Sequence, residues 1–544
     1  LVAPREVSHH TCSTAIQVPV PVKCRDILAQ PRFKFLTQRR GGKALLEPGR
    51  TGGYVAPIDG LRAVAIVAVM VYHLAPGLLP GGFAGVDIFF VISGYVVSAS
   101  LARDADRPAS QFLSRFYARR MARIVPPLLA CLIVASVAAT MFIPNAWLSN
   151  TSQFTALFAF VGLGNAAMVW LADGYFSPRV EFNPYVHTWS LGVEEQFYLI
   201  FPLVFLAWTT QRHRANALRH AGTWLLVTIL ALSMGYAWQH SSDGPERAFY
   251  LLPGRLWELA SGALIFQLQR GQATGAVSRA RAGGVLWLGV GLVLTGLFLS
   301  REQGYPFPWA LAAVTGAMLL IAGVTSPAPG PTTVSAILGS RAFVAIGKLS
   351  YSLYLWHWPV YVLHRWTVGL DGPVHAASAL ALTAALASAS YFLLEKPIRG
   401  HRLVRTQPPL RVVGAGIAGI VVCVGIAISV FAAQGRISRS VTAQVDIWYP
   451  DAPASSRERT ASPCRAAFGH AGENGVEAQT MTPADCTQLT PRAQRLFVIG
   501  DSHALAYTPM LVRVTETLAV PVQIYSNGGC SFANMHKTAD AKWM

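Results

Sequence analysis

Residues 59–79 read Asp-Gly-Leu-Arg-Ala-Val-Ala-Ile-Val-Ala-Val-Met-Val-Tyr-His-Leu-Ala-Pro-Gly-Leu-Leu, an apolar run with a charged pair at its start and a histidine further along. The stretch from Leu61 to Leu79 is long enough to cross a bilayer as a helix. Arg62 and His73 are eleven positions apart. At 100° per residue that offset returns to within roughly 20° of the same face, about 16 Å along the axis. Arginine and histidine on one stripe of a membrane helix are costly in lipid. Such residues face a protein interior or a water-filled cavity, and by default they mark function.

The whole chain has the same character. Of its 544 residues 53% are hydrophobic and 13% charged, with a mean hydropathy of +0.40. Soluble domains carry about 25% charged residues, so this is a polytopic all-α membrane protein with soluble chain attached. The net charge of +18 sits largely on arginines between apolar runs. That is the bias of cytoplasmic loops, and no nucleic-acid signature accompanies it.

Twelve apolar runs are long enough to span: 61–79, 83–102, 124–143, 151–171, 190–208, 222–238, 249–268, 283–300, 308–325, 342–364, 374–395 and 411–433. Segment 103–123 holds Arg103, Arg107, Arg115, Arg119, Arg120 and Arg123, and the loop after 190–208 holds Arg212, Arg214 and Arg219. Both are cytoplasmic by charge, which puts the N-terminus inside as well. An even number of crossings must separate the two loops, yet three runs lie between them. Run 151–171, with two internal glycines, Asn165 and few flanking basic residues, is the one expected to be re-entrant or interfacial. The remaining loops then alternate. The expected architecture is a ten-helix core over 51–410 with one re-entrant element, and an eleventh span, 411–433, that delivers the rest of the chain to the outside.

Residues 1–50 lack a signal-peptide pattern and read as a basic, disordered cytoplasmic tail or as sequence upstream of the true start. Beyond the export helix, 434–495 is polar and Pro-containing, an extracytoplasmic linker. The strand-like run Leu496–Ile499 then leads into Gly500-Asp-Ser-His503, an expected helix over 504–518 and a second strand-like run over 520–525, the start of an α/β domain over 496–544. The fifty or so residues from that first strand cannot complete an ordinary domain. Cys131 and Cys423 fall in apolar runs as inert core residues, and Cys12 and Cys24 lie in the tail. If the C-terminal region is extracytoplasmic, Cys464 and Cys486 can form a disulfide, leaving Cys530 over. No cysteine or histidine spacing suits a metal.

Polar residues inside the spans cluster in a few segments. Asp59 and Arg62 open the first span, with His73 three turns deeper, and Asp87 lies in the second. Glu194 and Glu195 are expected at the outer end of the fourth. Arg255 and Glu258 share the sixth, and His357 lies in the ninth. The ordinary reading of Asp87, and of Arg255 with Glu258, is an ion pair bracing helices. His73 fits that reading less well, because a bracing residue has no need of a group that accepts a proton near neutral pH. Tyr354, Trp356 and Trp358 read as interface-belt or packing aromatics.

In their order these segments resemble the acyltransferase-3 family of bacterial membrane O-acyltransferases. The resemblance rests on Asp59-Gly-Leu-Arg62 with His73, the Asp87 segment, Arg119-Arg120-Met-Ala-Arg123, Ser190-Leu-Gly-Val-Glu-Glu-Gln-Phe-Tyr198, Arg255 with Glu258, Tyr351-Ser-Leu-Tyr-Leu-Trp-His-Trp-Pro359 and Glu395-Lys-Pro397. It covers about 55–400. The eleventh span and the Gly-Asp-Ser-His segment resemble the subgroup fused to an SGNH-hydrolase-like domain, here truncated.

The resemblance implies transfer of an acyl group, commonly acetyl, from cytoplasmic acyl-CoA to a hydroxyl of an extracytoplasmic glycan or lipid-linked saccharide. O-antigen, exopolysaccharide and peptidoglycan are candidate acceptors. It implies a bacterial inner-membrane location with the C-terminal region outside. No permanently bound cofactor is expected, and acyl-CoA is the donor substrate. Arg119, Arg120 and Arg123 would hold the coenzyme A phosphates, and Arg62 would extend that grip or orient the thioester. Glu194 and Glu195 join the catalytic candidates. His73 would carry the acyl group or act as general base, and both roles stay open. In the SGNH part the nucleophile would be Ser502, with the N–H groups of Ser502 and of Gly528 or Gly529 as oxyanion donors. No Asp-x-x-His follows Ser502, which implies a fragment of a longer chain or an inactive hydrolase half. Two other readings compete: a transporter of glycan or lipid-linked intermediates, and a membrane-anchored SGNH esterase.

Overall fold

The computed structural model describes residues 54–143, 150–170, 180–212, 221–271, 279–326, 331–401, 406–440, 463–473, 476–487, 494–500, 504 and 507–526. Ser502, His503, Gly528, Gly529 and Cys530 lie outside these, as do Cys12 and Cys24 and the whole of 1–50.

Each of the twelve apolar runs is helical over most of its described length. They correspond to α1 (Ala56–Leu74), α2 (Gly85–Ala102), α3 (Ala109–Phe142), the broken pair α4 (Asn150–Phe160) and α5 (Gly164–Trp170), α6 (Thr188–Arg212) and α7 (Ala221–Asp243). A short α8 (Pro245–Tyr250) then leads into α9 (Leu252–Gly271), α10 (Arg279–Leu299), α11 (Ala310–Thr325), a short α12 (Thr333–Leu338), α13 (Arg341–Trp366), α14 (Pro373–Ala389) and the linking helix Pro409–Ala432. Among the described residues eight helical stretches are long and apolar enough to cross a bilayer. The sequence count of eleven also includes α9, α11 and α13. The first and last are 20 and 26 residues long but diluted by charged and polar residues, and α11 has 16 residues.

Run 151–171 is interrupted, as its glycines suggested. Gly162 sits at φ +73, between two helices of 11 and 7 residues, neither able to span. A Cβ at Gly162 would run into the Glu195 carboxylate, so the break also lets this element approach α6. The amides of Asn165 and Gln196 exchange hydrogen bonds at 3.3 and 2.9 Å across the contact.

The segment 103–123, expected as a loop, is helical from Ala109 onward. α3 is therefore a 34-residue helix, about 51 Å long, which exceeds a hydrocarbon core of about 30 Å. Phe112 and Phe116, one turn apart, are buried on one side of its basic half, and Phe112 stacks on Phe205 of α6. That apolar stripe continues the helix past the membrane boundary. α1 lies along α13, α2 along α9, α10 along α11, and the linking helix along α3. The α2–α9 crossing depends on Gly94 and Gly262: a Cβ on either would meet a backbone carbonyl of the other helix. Beyond α14 the chain makes a π-helical turn, Ser390–Glu395. Buried Glu395 there accepts from Arg399 at 3.0 Å and from Ser352 Oγ at 3.4 Å, tying the Glu-Lys-Pro segment to α13.

The C-terminal region forms a four-stranded sheet of order β1-β2-β4-β3, with β1 Arg465–Glu473, β2 Val476–Ala484, β3 Leu496–Gly500 and β4 Val522–Ser526. β3 and β4 are parallel and joined through the helix Thr508–Leu518, as the strand-turn-helix-strand pattern predicted. The expected linker 434–495 needs correcting: its second half supplies β1 and β2, an antiparallel hairpin whose β2 pairs with β4. Cys464 and Cys486 form a disulfide at the base of that hairpin.

Candidate active site

Three polar assemblies occupy the bundle. The first is a cavity, partly open to solvent, lined by Arg62 of α1, Ser93 of α2, Arg120 and Arg123 of α3, Glu194, Glu195 and Tyr198 of α6, and Tyr351 and Tyr354 of α13, among apolar residues such as Phe89 and Phe90. Five helices contribute, so the sequence places no two of these groups together except within one helix. Arg62 is held by Asp59 at 2.9 Å, and Tyr54 donates to the other Asp59 oxygen at 2.7 Å. Glu194 accepts from Ser93 and from the Tyr198 hydroxyl, each at 2.7 Å. The Arg120 guanidinium lies 4.6 Å over the Tyr198 ring and 5.4 Å from the Phe116 ring. Among the described residues neither Arg120 nor Arg123 has a carboxylate in salt-bridge reach. Two guanidinium groups therefore face a cavity without a paired anion, an arrangement suited to phosphate or carboxylate.

Glu194 and Glu195, expected at the outer end of their span, instead share this cavity with the arginines. The reason is packing: the α4–α5 pair lies against α6, and Gly162 at its break meets the Glu195 carboxylate there. Arg119 is also elsewhere. One position from Arg120 on a helix, it turns away and pairs with Asp104 at 2.6 Å, while Arg107 reaches the other Asp104 oxygen at 2.7 Å. Burial alone would raise the Asp104 carboxyl, but hydrogen bonds from Arg119 and Arg107 outweigh it and hold it below its ordinary range.

The second assembly is a histidine pair. His73 Nδ1 lies 3.1 Å from His357 Nε2, with the two rings 16° from coplanar. Trp358 packs edge-on against His73 at 4.6 Å, and Arg365 donates to the His73 carbonyl at 3.0 Å. His187 stands perpendicular to His357 at 6.0 Å. Tyr354 links pair and cavity: its ring lines the cavity, its hydroxyl bonds Ser190 at 2.7 Å and the His187 carbonyl at 2.9 Å, and its own carbonyl meets His357. The structure thus brings His357, read only as one more intramembrane polar residue, directly onto His73. Of the belt and packing readings of Tyr354, Trp356 and Trp358, burial selects packing, since they are 7%, 6% and 3% exposed inside the bundle.

The third assembly is closed. Arg255 pairs with Asp87 at 2.8 Å and Glu258 at 3.0 Å, and donates through Nε to the Phe249 carbonyl at 2.8 Å. The Tyr305 hydroxyl donates to the other Asp87 oxygen. Burial, then the Asp87 charge, pushes the Tyr305 phenol well above its ordinary value, so it remains a donor. Arg255, Asp87 and Glu258 are at most 1% exposed. None of the three lines the cavity or touches the histidines, so they act as a brace between α2 and α9.

Sequence reasoning passed over His187, Ser93, Tyr198, Tyr305 and Tyr354 as site residues. Tyr198 and His187 lie in or beside the Ser190–Tyr198 motif and Ser93 lies in the Asp87 segment, whereas nothing in the sequence signals Tyr305, whose role comes from long-range contacts.

A polytopic helical membrane protein with a basic interior cavity and a buried histidine pair is the class this geometry defines. The family model of the acyltransferase-3 family, described as an acyltransferase domain, matches residues 55–428, so the chain belongs to that family. It is 31% identical over 356 residues to O-acetyltransferase OatA of Staphylococcus aureus (strain NCTC 8325 / PS 47), covering 64% of this chain and 57% of that protein. It is 30% identical over 364 residues to peptidoglycan O-acetyltransferase OatA of Listeria monocytogenes, covering 64% and 57%. A third relative, BcsY of Komagataeibacter xylinus, named as a candidate membrane-bound transacylase, is 32% identical over 394 residues, which is 70% of this chain and 92% of BcsY. The match thus spans a little over half the length of the OatA relatives. No solved structure matches.

Proposed function

We propose that the protein moves an acetyl group from cytosolic acetyl-CoA to a hydroxyl of an extracytoplasmic glycan. The observation that carries this reading is the pair Arg120 and Arg123, lining an interior cavity without a carboxylate partner among the described residues, at the basic end of a membrane bundle. An anionic ligand is the natural complement, and the coenzyme's phosphates have the right charge and geometry. Tyr198, held by Glu194, supports the Arg120 guanidinium from beneath. Arg62 and His73 share α1, eleven positions apart, a rise of about 16 Å. An extended pantetheine arm can cover that interval, with its phosphates at the arginines and its thioester toward the imidazole.

In the transfer, the acceptor oxygen attacks the thioester carbonyl while a ring nitrogen of His73 takes the hydroxyl proton. The new C–O bond forms, the C–S bond breaks, and the proton passes from the imidazole to the departing thiolate. Two relatives' names specify O-acetyl transfer, one of them to peptidoglycan, which supports a cell-surface glycan as acceptor.

The test supplies purified protein in lipid nanodiscs with radiolabelled acetyl-CoA and an acceptor glycan. Label should pass into alkali-labile ester, and His73→Ala should abolish that transfer at unchanged yield of folded protein. Ester hydrolysis without CoA dependence, or glycan translocation with no change in acylation, would overturn the reading in favour of an esterase or a transporter.

A further inference from the structure

We infer that His357 is a positioning residue which locks His73 in one tautomer and thereby makes Nε2 the reacting nitrogen. The inference rests on the proposed role of His73 and adds to it the atom that reacts and the residue that selects it.

The proton arrangement is fixed from a backbone carbonyl outward. His357 Nδ1 lies 2.7 Å from the Tyr354 carbonyl oxygen and 3.2 Å from that of Leu353, the carbonyls three and four residues back on the same helix. A carbonyl oxygen only accepts, so Nδ1 of His357 carries its hydrogen. In a neutral imidazole the other nitrogen, Nε2, is then a bare lone pair. That lone pair faces His73 Nδ1 at 3.1 Å. Two lone pairs would repel at this distance, so His73 Nδ1 is the N–H and donates to His357. The lone pair of His73 is thereby assigned to Nε2.

The geometry suits a strong directional bond. The rings are 16° from coplanar with centroids 5.3 Å apart. That separation is what the nitrogen–nitrogen distance plus the two ring radii require when the bond lies in both ring planes. The pair is also held from outside. Trp358 stands at 71° against His73, Tyr361 at 90° against His357, and the Arg365 guanidinium fixes the His73 carbonyl. His73 and His357 are 9% and 0% exposed.

The choice of partner has a physical reason. A carboxylate on Nδ1 would orient His73 equally well, as in serine-protease triads, but would bury a charge inside a bilayer. A neutral imidazole, tied to a helix carbonyl, orients the ring without that cost. Among the described residues the charged and titratable groups facing the pair include Arg365, His187, Tyr354 and Tyr361.

The experiment compares His357→Ala with His357→Gln in the acetyl-transfer assay, and reads histidine ring nitrogens by 15N NMR, with His73→Ala identifying the His73 signals. Alanine removes the acceptor. Glutamine's amide oxygen can accept from Nδ1 and should restore part of the function. The expected result is a kcat lower by about a hundredfold in His357→Ala with KM for acetyl-CoA unchanged, and at least about tenfold recovery in His357→Gln. Wild-type His73 should show protonated Nδ1 and bare Nε2, becoming a tautomer mixture in His357→Ala. A bare Nδ1 on wild-type His73, or a wild-type kcat in His357→Ala, would overturn the inference, as would equal loss in both variants with His73 unchanged. If the wild type transfers no acetyl group, the proposed function fails, while the nitrogen spectra still decide the tautomer. Thermal unfolding of both variants identifies a loss caused by misfolding, and the glutamine variant then carries the comparison.

Discussion

Replacing Arg120 by alanine tests the cavity most directly. Its guanidinium rests on Tyr198 at 4.6 Å and lines the cavity, with no carboxylate partner among the described residues. Glu194 in the same cavity acts on it only at a distance, so its N–H groups can serve a ligand. Each charge-assisted hydrogen bond contributes about 1.5–3 kcal/mol, roughly tenfold to 150-fold in affinity. The cavity opens to solvent and water screens the contact, which favours the lower end, about tenfold to thirtyfold for one guanidinium. Arg120→Ala should raise KM for acetyl-CoA by that factor and leave kcat little changed. The discriminating measurement repeats the assay with S-acetyl-pantetheine, which has no phosphates. Wild type should favour acetyl-CoA over this donor, and the variant should lose most of the preference while handling the truncated donor as wild type does. Arg120→Lys keeps the charge but not the flat, stacked fork, and should recover only part. An equal loss with both donors, or none with either, would refute phosphate binding at this residue.

The closed cluster and the surface ion pairs make separate predictions. Arg255→Met leaves Asp87 and Glu258 buried without their cation and should cost about 3–5 kcal/mol of stability, read as a lowered unfolding midpoint in detergent; a loss within error would mean the carboxyls are not dependent on it. For Asp104 the sign follows from its depressed folded pKa. Its stabilising contribution is present above the ordinary carboxylate value of about 3.9 and is lost as pH falls through the lower folded value. Amide exchange over 103–108 should therefore accelerate at the acid end of that window, and Asp104→Asn should abolish this pH dependence; an unchanged acid response in the variant would assign it to another group.

Much of the membrane half was legible because a bilayer imposes length and polarity on each segment separately. Run by run, apolar length located every long helix, loop charge required that one of three runs not cross, and glycines, Asn165 and sparse basic flanks picked out 151–171. The structure breaks that run at Gly162. The C-terminal region was less legible. The β3–helix–β4 unit follows from local pattern, but β1 and β2 lie in a polar stretch with weak alternation, and only their pairing with each other and that of β2 with β4 make them strands.

Site residues divided by the same logic. Arg62, His73, Arg120 and Arg123 stood out because a charge or imidazole in or beside an apolar run is expensive wherever it packs. The fate of Arg119 and Arg120 did not, since adjacent helix positions point about 100° apart and neighbours decide which of them faces the cavity. One found Asp104 and the other Tyr198.

Apolar length and the cost of a buried charge belong to each segment alone. The class of this protein, a helical membrane bundle with expensive polar groups inside, is therefore written in the order of its residues. Which of those groups work together is a matter of three dimensions. His73 and His357 are 284 positions apart, and nothing local to either helix specifies the face it turns to the other. That choice comes from packing α1 along α13, where the fit of two helix surfaces sets the rotation of each.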